Sequence, residues 1–326
     1  MKRVLLTGAA GFIGRAVAAR MTGIVDLVAY DRSTDVRDDI TDLQRVTDAM
    51  VGCDAVVHLA AKVGLGVDLR DLDDYVRTND LGTAVVLRAA AEAGIGRVVY
   101  ASSMVVYGEG GYECPAHGSV RPAPRQAADL EQGRFEPPCP RCSAPLTPTL
   151  VTESAALDPR NVYAATKVHG EHLAAVWARE TGGSVAALRF HNVYGPGMPR
   201  NTPYAGVAAL FASSLAAQQP PQVFEDGRQR RDFVHVSDVA AAVGRATTVD
   251  LPADTCTPLN IGSGHVSTIG DVAHQLADLL DGPNPQITGR YRLGDVRHIT
   301  ADSTAARHTL RWAPELSLAT GLALGL

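Results

Sequence analysis

Tyr163 and Lys167 stand four residues apart in Tyr-Ala-Ala-Thr-Lys, a spacing that puts both side chains on one face of a helix. A phenol ordinarily loses its proton near pH 10, so base chemistry near neutrality needs a neighbouring cation. An ammonium one turn away would favour the phenolate. The same spacing also suits a half-buried ring beside a solvated charge, so the pair points to catalysis only in company with other signals. A second group with chemical potential is Cys114-Pro-Ala-His117 followed by Cys139-Pro-Arg-Cys142. Three sulfurs and one imidazole in two knuckles are a tetrahedral zinc set, and four protein ligands leave no open position, which makes the metal structural. The alternative is a loop carrying free thiols. The third group is Gly8, Gly11 and Gly14 around Phe12 and Ile13. Glycines at these intervals serve a tight turn, approach of backbone N–H groups to a pyrophosphate, and close helix-to-strand packing.

These groups need elements to hold them. Val4-Leu5-Leu6 reads as a buried strand running into the glycine loop, whose helix continues through Ala19. A second strand, Leu27-Val28-Ala29-Tyr30, ends in Asp31 with Arg32 beside it. A carboxylate there binds the adenosine ribose hydroxyls and repels a 2′-phosphate, which selects NAD over NADP. A third apolar strand runs to Leu59-Ala60-Ala61, whose small residues let a cofactor approach, while His58 and Cys53 read as core. A helix over 76–93 carries Asn79, a further cofactor candidate, and the strand from Arg97 ends in Ser102-Ser103. Pro159 is expected to open the Tyr163 helix, packing through Leu173, Val176 and Trp177. Strands alternating with helices predict an α/β, Rossmann-type, doubly wound parallel sheet with its ligand at the carboxyl ends of the strands. The expected organisation is a dinucleotide domain over 1–190, interrupted at 111–150. A smaller C-terminal substrate lobe over 191–326 follows, with about 232–262 returning to the first domain. The interruption holds eight of the chain's 19 prolines and lacks apolar periodicity, so a zinc ion would supply its folding energy.

The 326 residues are 46% hydrophobic and 20% charged, with a net charge of −5. That composition describes a soluble protein with a sizeable core, without a basic surface for nucleic acid and without an apolar run of membrane-spanning length. A charged start that runs at once into glycine is no secretory signal, and with five cysteines it suggests a cytoplasmic chain with thiols or metal ligands.

Together the glycine loop, Asp31, Ser103 before Tyr107-Gly108, Tyr163/Lys167, Leu188-Arg189-Phe190-His191-Asn192-Val193-Tyr194-Gly195-Pro196 and Arg231-Asp232-Phe233-Val234-His235-Val236 carry a resemblance over nearly the whole chain. The chain resembles the extended short-chain dehydrogenase/reductases, in the NAD-dependent epimerase/dehydratase branch that acts on nucleotide sugars. That resemblance implies a Ser103 hydroxyl that orients the reacting alcohol, a Tyr163 base, and a Lys167 that binds the nicotinamide ribose while lowering the tyrosine pKa. It further implies adenine contacts from Asp39 and Ile40, Phe190 near the nicotinamide, and substrate contacts from Met104, Asn192, Phe224, Arg231, Arg292 and Asp295. His191 stands where an aromatic residue is more usual. Relatives pair the Tyr163 helix with its copy, which implies a homodimer. The Cys/His insert resembles that of the dTDP-L-rhamnose 4-epimerase group.

All branches of this family begin with oxidation at carbon 4 of the sugar. The dehydratases place an acid pair directly after the catalytic Ser/Thr, where this chain has Met104-Val105, and two apolar side chains do no proton transfer. The expectation is therefore a 4-epimerase acting on a dTDP-6-deoxyhexose or UDP-hexose. A 4-ketoreductase or dehydratase, and a catalytically silent NAD-binding regulator, stand as the alternatives.

Overall fold

The computed structural model describes residues 1–64, 69–200 and 206–326. Six strands, β1 (Arg3–Thr7), β2 (Asp26–Tyr30), β3 (Ala55–His58), β4 (Arg97–Ser103), β5 (Ser184–Phe190) and β6 (Thr255–Ile261), form one parallel sheet in the order β6-β5-β4-β3-β1-β2. Helices cover both faces, which is why these strands read as nearly continuous apolar runs. Val4, Leu6, Val57 and Leu188 point into one core, under helices Phe12–Met21, Val236–Thr248 and Thr304–Leu310. Leu5, Val56, Tyr100 and Ala187 point into the other, under Leu43–Ala49, Gly82–Glu92 and Val162–Thr181. From β1 the chain passes to β2 on one side and afterwards to β3 on the other. The carboxyl ends of β1 and β3 therefore flank the switch-point crevice of a doubly wound sheet.

Two helices depart from expectation. The helix carrying Tyr163 begins at Val162, not near Pro159: Asn161 caps it, its Oδ1 accepting from the Ala164 N–H at 2.8 Å. An Asn side chain satisfies an orphan N–H that Pro159, lying outside the helix, cannot. Val176, expected to pack, is 46% exposed, while Trp177 is buried. The helix expected over 76–93 starts at Leu72 and passes through a wider π turn, Val76–Leu81, before Gly82–Glu92.

A second lobe gathers around a three-stranded sheet of Asn192–Tyr194, Arg230–His235 and Val266–Thr268, with helices Val207–Ala216 and Ile269–Leu279 closing its core. The segment 111–150 is not irregular: Gly111–Cys114 pairs antiparallel with Gly118–Val120 and Thr147–Thr149. Tyr112, Cys114, Cys139 and Leu146 fill a small core of its own. Among the described residues no helix is long and apolar enough to cross a membrane.

Candidate active site and metal cluster

A cavity of about 820 Å³ opens at the switch point, lined by Gly8, Gly11, Phe12, Ile13 and Gly14 at one end and by Tyr163, Lys167 and Phe190 at the other. Gly8 takes a φ of +71°, and a Cβ there would sit 2.7 Å from the Ala60 nitrogen. A Cβ on Gly14 would be driven into the Gly8 carbonyl. Glycine is thus required twice, and no side chain caps Gly11 at the start of helix Phe12–Met21, so its first N–H groups are open to an anion in the cavity. Asp31 lies on the cavity wall with Arg32, Asp39, Ile40, Leu59, Ala60 and Ala61. Its carboxylate accepts from the Ala10 N–H at 2.9 Å and from the Ser33 N–H and hydroxyl at 2.8 and 2.7 Å. Burial works against its charge, but the Ser33 and Ala10 hydrogen bonds prevail and hold the carboxyl below its usual range.

Asn79 is placed elsewhere. Its Oδ1 accepts from the Lys62 N–H at 2.8 Å, and its amide donates to the Lys62 carbonyl and the Thr166 hydroxyl, both at 3.0 Å. Fully engaged, it braces the loop that presents Lys62 to the cavity and does not line the cavity itself. Lys62 and Thr78, which do line it, carry no sequence signal.

At the reacting end, the Ser103 hydroxyl lies beside the Tyr163 phenol and favours its ionised form, although it is Ser102 and not Ser103 that lines the cavity. The Lys167 Nζ donates to the Ala101 carbonyl at 2.7 Å and lies 5.7 Å from the centre of the Tyr163 ring. Burial dominates both groups. It pushes the phenol up to about 12, opposed by the Ser103 hydrogen bond, and pushes the ammonium down to about 8 against the pull of Glu171 and Asp80. The phenolate-favouring pair expected from helical spacing is therefore outweighed by desolvation in the protein alone. Beneath the site Arg189 forks onto Glu171 at 2.6 and 2.9 Å and donates to the Tyr107 hydroxyl at 2.8 Å, fixing the floor. His58 is spanned by Thr7 and Thr83 and behaves as core. His191 is buried and lines neither cavity.

A second cavity of about 320 Å³ lies in the smaller lobe, lined by Asn192, Phe224, Arg231, Arg292 and Asp295, with Glu225 and Gln229 unforeseen from sequence. The strand residues Phe190 and Val193 line the first cavity and Asn192 the second, so one short segment joins the two. The Asn192 Oδ1 is buried without a protein partner, an acceptor in need of a donor. The Arg290 and Arg292 guanidinium groups stand over the Phe224 ring at 5.0 and 5.2 Å. Arg231 is held by the Arg230, Val296 and Arg297 carbonyls at 2.7–3.0 Å. Met104 lines neither cavity; it packs with Val106, Tyr107, Val151 and Ile299.

In the insertion, the ligand atoms of Cys114, His117, Cys139 and Cys142 all lie within 4.8 Å of one another. A tetrahedral zinc ion implies edges of about 3.8 Å between sulfurs and about 3.6 Å between sulfur and nitrogen. The Cys114 and Cys142 sulfurs are 3.7 Å apart, and His117 Nδ1 is 3.5 and 3.6 Å from the Cys114 and Cys139 sulfurs. The four side chains fit the ion's geometry.

The sequence profile of the NAD dependent epimerase/dehydratase family matches residues 4–128 and 140–262, breaking inside the insertion. The chain is 31% identical over 347 residues to the dTDP-L-rhamnose 4-epimerase of Burkholderia thailandensis, covering 98% of this chain and 93% of that one. To the UDP-glucose 4-epimerase of Mycolicibacterium smegmatis it is 29% identical over 343 residues, covering 98% and 96%. Among solved structures it is similar to MoeE5 in complex with UDP-glucuronic acid and NAD, with a TM-score of 0.79, 30% identity, and 99% and 97% of the two chains covered.

Proposed function

Because the chain belongs to the NAD-dependent epimerase/dehydratase family, we propose that it is a nucleotide-sugar 4-epimerase, acting on a dTDP-6-deoxyhexose or a UDP-hexose. The observation that carries this reading is the composition of the reacting end. Tyr163 and Lys167 line it, with Ser103 behind Tyr163, while Met104, the first residue after the serine, packs into an apolar cluster. Elimination of water from the sugar needs a further acid and base, and an apolar Met104-Val105 pair supplies neither. Inversion at carbon 4 needs only a group that takes the hydroxyl proton and returns it on the other face.

NAD, when bound in the larger cavity, supplies the reversible oxidation at carbon 4. The chain's own residues do the rest. Tyr163 takes the proton of the sugar hydroxyl, which the Ser103 hydroxyl holds in place. One Lys167 donor is committed to the Ala101 carbonyl, and two remain for the cofactor ribose. Tyr163, held near 12 by desolvation, would lose its proton more readily beside a bound cofactor's positive charge. The glycine loop and Asp31 grip the dinucleotide, and Asn192, Phe224, Arg231, Arg292 and Asp295 bind the sugar nucleotide in the smaller cavity. Arg231 and Arg292 suit a diphosphate. The names of the two epimerases, matched over 93% and 96% of their lengths, support this reading.

A structural zinc on Cys114, His117, Cys139 and Cys142 belongs to the same proposal. So does a homodimer through the helix Val162–Thr181, on which Val176 is exposed, as are Leu72, Val76 and Leu81 in the helical segment before Gly82. The test of the main reading is incubation with dTDP- and UDP-hexoses without added NADH, following anomeric and C4 protons by NMR beside Tyr163→Phe. A C4 epimer that disappears in the variant supports it; a 4-keto-6-deoxy product sinks it.

A further inference from the structure

The insertion is joined to the smaller cavity by buried charge. Arg125, whose side chain is 4% exposed, donates from Nη1 to Glu225 Oε1 at 2.8 Å and from Nη2 to the Asp295 carbonyl at 2.6 Å. Both partners line the cavity beside Arg231 and Arg292. The other Glu225 oxygen accepts from Arg297 at 2.8 Å, so both oxygens of this carboxylate are spoken for. Arg297 is fully buried and is held in turn by Glu136 of the insertion at 2.7 and 2.8 Å and by Asp226 at 2.7 and 2.9 Å. Arg125 also donates to the Phe135 carbonyl at 3.3 Å, tying together two points within its own loop. That loop runs between His117 and Cys139, 22 positions apart, and the Cys/His cluster closes it.

We infer that Arg125 is a positioning residue for the diphosphate of the sugar nucleotide: it neutralises and orients the Glu225 carboxylate and fixes the Asp295 main chain, leaving the cavity wall receptive to an anion. This inference rests on reading the smaller cavity as the sugar-nucleotide site. The insertion is then a fixed part of that wall. Without Arg125, Glu225 keeps one guanidinium of two and Glu109, 3.8 Å from Arg125 and outside the cavity lining, loses its ion pair; of the two carboxylates it is Glu225 that faces the incoming diphosphate. Like charges at close range in a dry site repel strongly. A neutral nucleoside in the same cavity is indifferent to that change.

Calorimetric binding of dTDP and UDP, and of thymidine and uridine, to the NAD-loaded protein separates the possibilities. For the diphosphate that the wild type binds, Arg125→Met weakens affinity by about ten-fold or more, while its nucleoside stays within about two-fold. Arg125→Lys restores part of the loss, and adding Glu225→Gln to Arg125→Met restores diphosphate binding by removing the unpaired charge. NAD affinity, read at the other cavity, stays unchanged and reports that the fold is intact. Equal weakening of nucleoside and diphosphate, or no rescue by Glu225→Gln, overturns the inference by reducing Arg125 to a packing role. Failure of the wild type to bind either diphosphate overturns the reading of the cavity and the inference with it.

Discussion

Lys167→Met should make this protein more stable at neutral pH while abolishing its activity. Burial lowers the Lys167 ammonium from its ordinary 10.5 to about 8, a difference of roughly 2.5 units, or about 3 kcal/mol against the charged form in the folded state. Methionine has similar length, carries no charge and fills the same space. The loss on the other side is the hydrogen bond to the Ala101 carbonyl at 2.7 Å, worth about 1–2 kcal/mol once that acceptor is left unpaired. The net gain is about 1–2 kcal/mol at pH 7, or a few degrees in unfolding midpoint for a chain of this size. Its pH dependence carries the sharper test. Below pH 8 both folded and unfolded wild type hold the proton, and the penalty is present in full. Between about 8 and 10.5 the unfolded chain binds a proton that the folded chain has released, so wild-type stability rises with pH relative to the variant. The variant's advantage should therefore shrink by about 2 kcal/mol by pH 9.5. The assay is thermal or urea unfolding of nucleotide-free protein at pH 7, 8.5 and 9.5. A variant less stable than wild type at pH 7, or a gap that ignores pH, refutes the reasoning.

Asp31→Asn should narrow the preference for NAD over NADP by at least about ten-fold, because a carboxylate about 5 Å from a 2′-phosphate repels it by about 2–3 kcal/mol in a partly solvated site; unchanged relative affinities in fluorescence titration would place the ribose elsewhere. Arg189→Met should destabilise the fold by about 3–5 kcal/mol by stranding the Glu171 carboxylate, and Arg189→Met with Glu171→Met should recover most of that loss. A double variant as unstable as the single one in urea unfolding would show that packing, not charge, sets the effect. Elemental analysis should find one zinc per chain, lost in Cys142→Ser together with heat stability of the insertion; a metal-free wild type that unfolds unchanged with a chelator present would remove zinc from the account.

What could be read from the chain itself was whatever short-range geometry dictates. Glycines at 8, 11 and 14 are required by backbone approach within one turn and by a φ that other residues resist, so their spacing is their meaning. Tyr163 and Lys167 share a face because a helix has 3.6 residues per turn. The Cys/His knuckles show themselves because each ligand pair is local. The apolar strands announced a parallel sheet because both its faces are buried. Tertiary structure decided the remainder. Helical spacing set Lys167 beside Tyr163, but the buried Ala101 carbonyl takes one donor of its ammonium, and in the protein alone burial outweighs that neighbour at the phenol. Asn79 stood at a plausible distance from the cofactor strands, yet it spends its amide on Lys62 and Thr166. Nothing in the proline-rich sequence around Arg125 marks it, because its charged partner, the Glu225 carboxylate, lies 100 positions away and the main-chain carbonyl it also holds, that of Asp295, lies 170 away. Charges find one another across such separations only when the fold has already chosen which surfaces meet, and burial then makes the pairing obligatory.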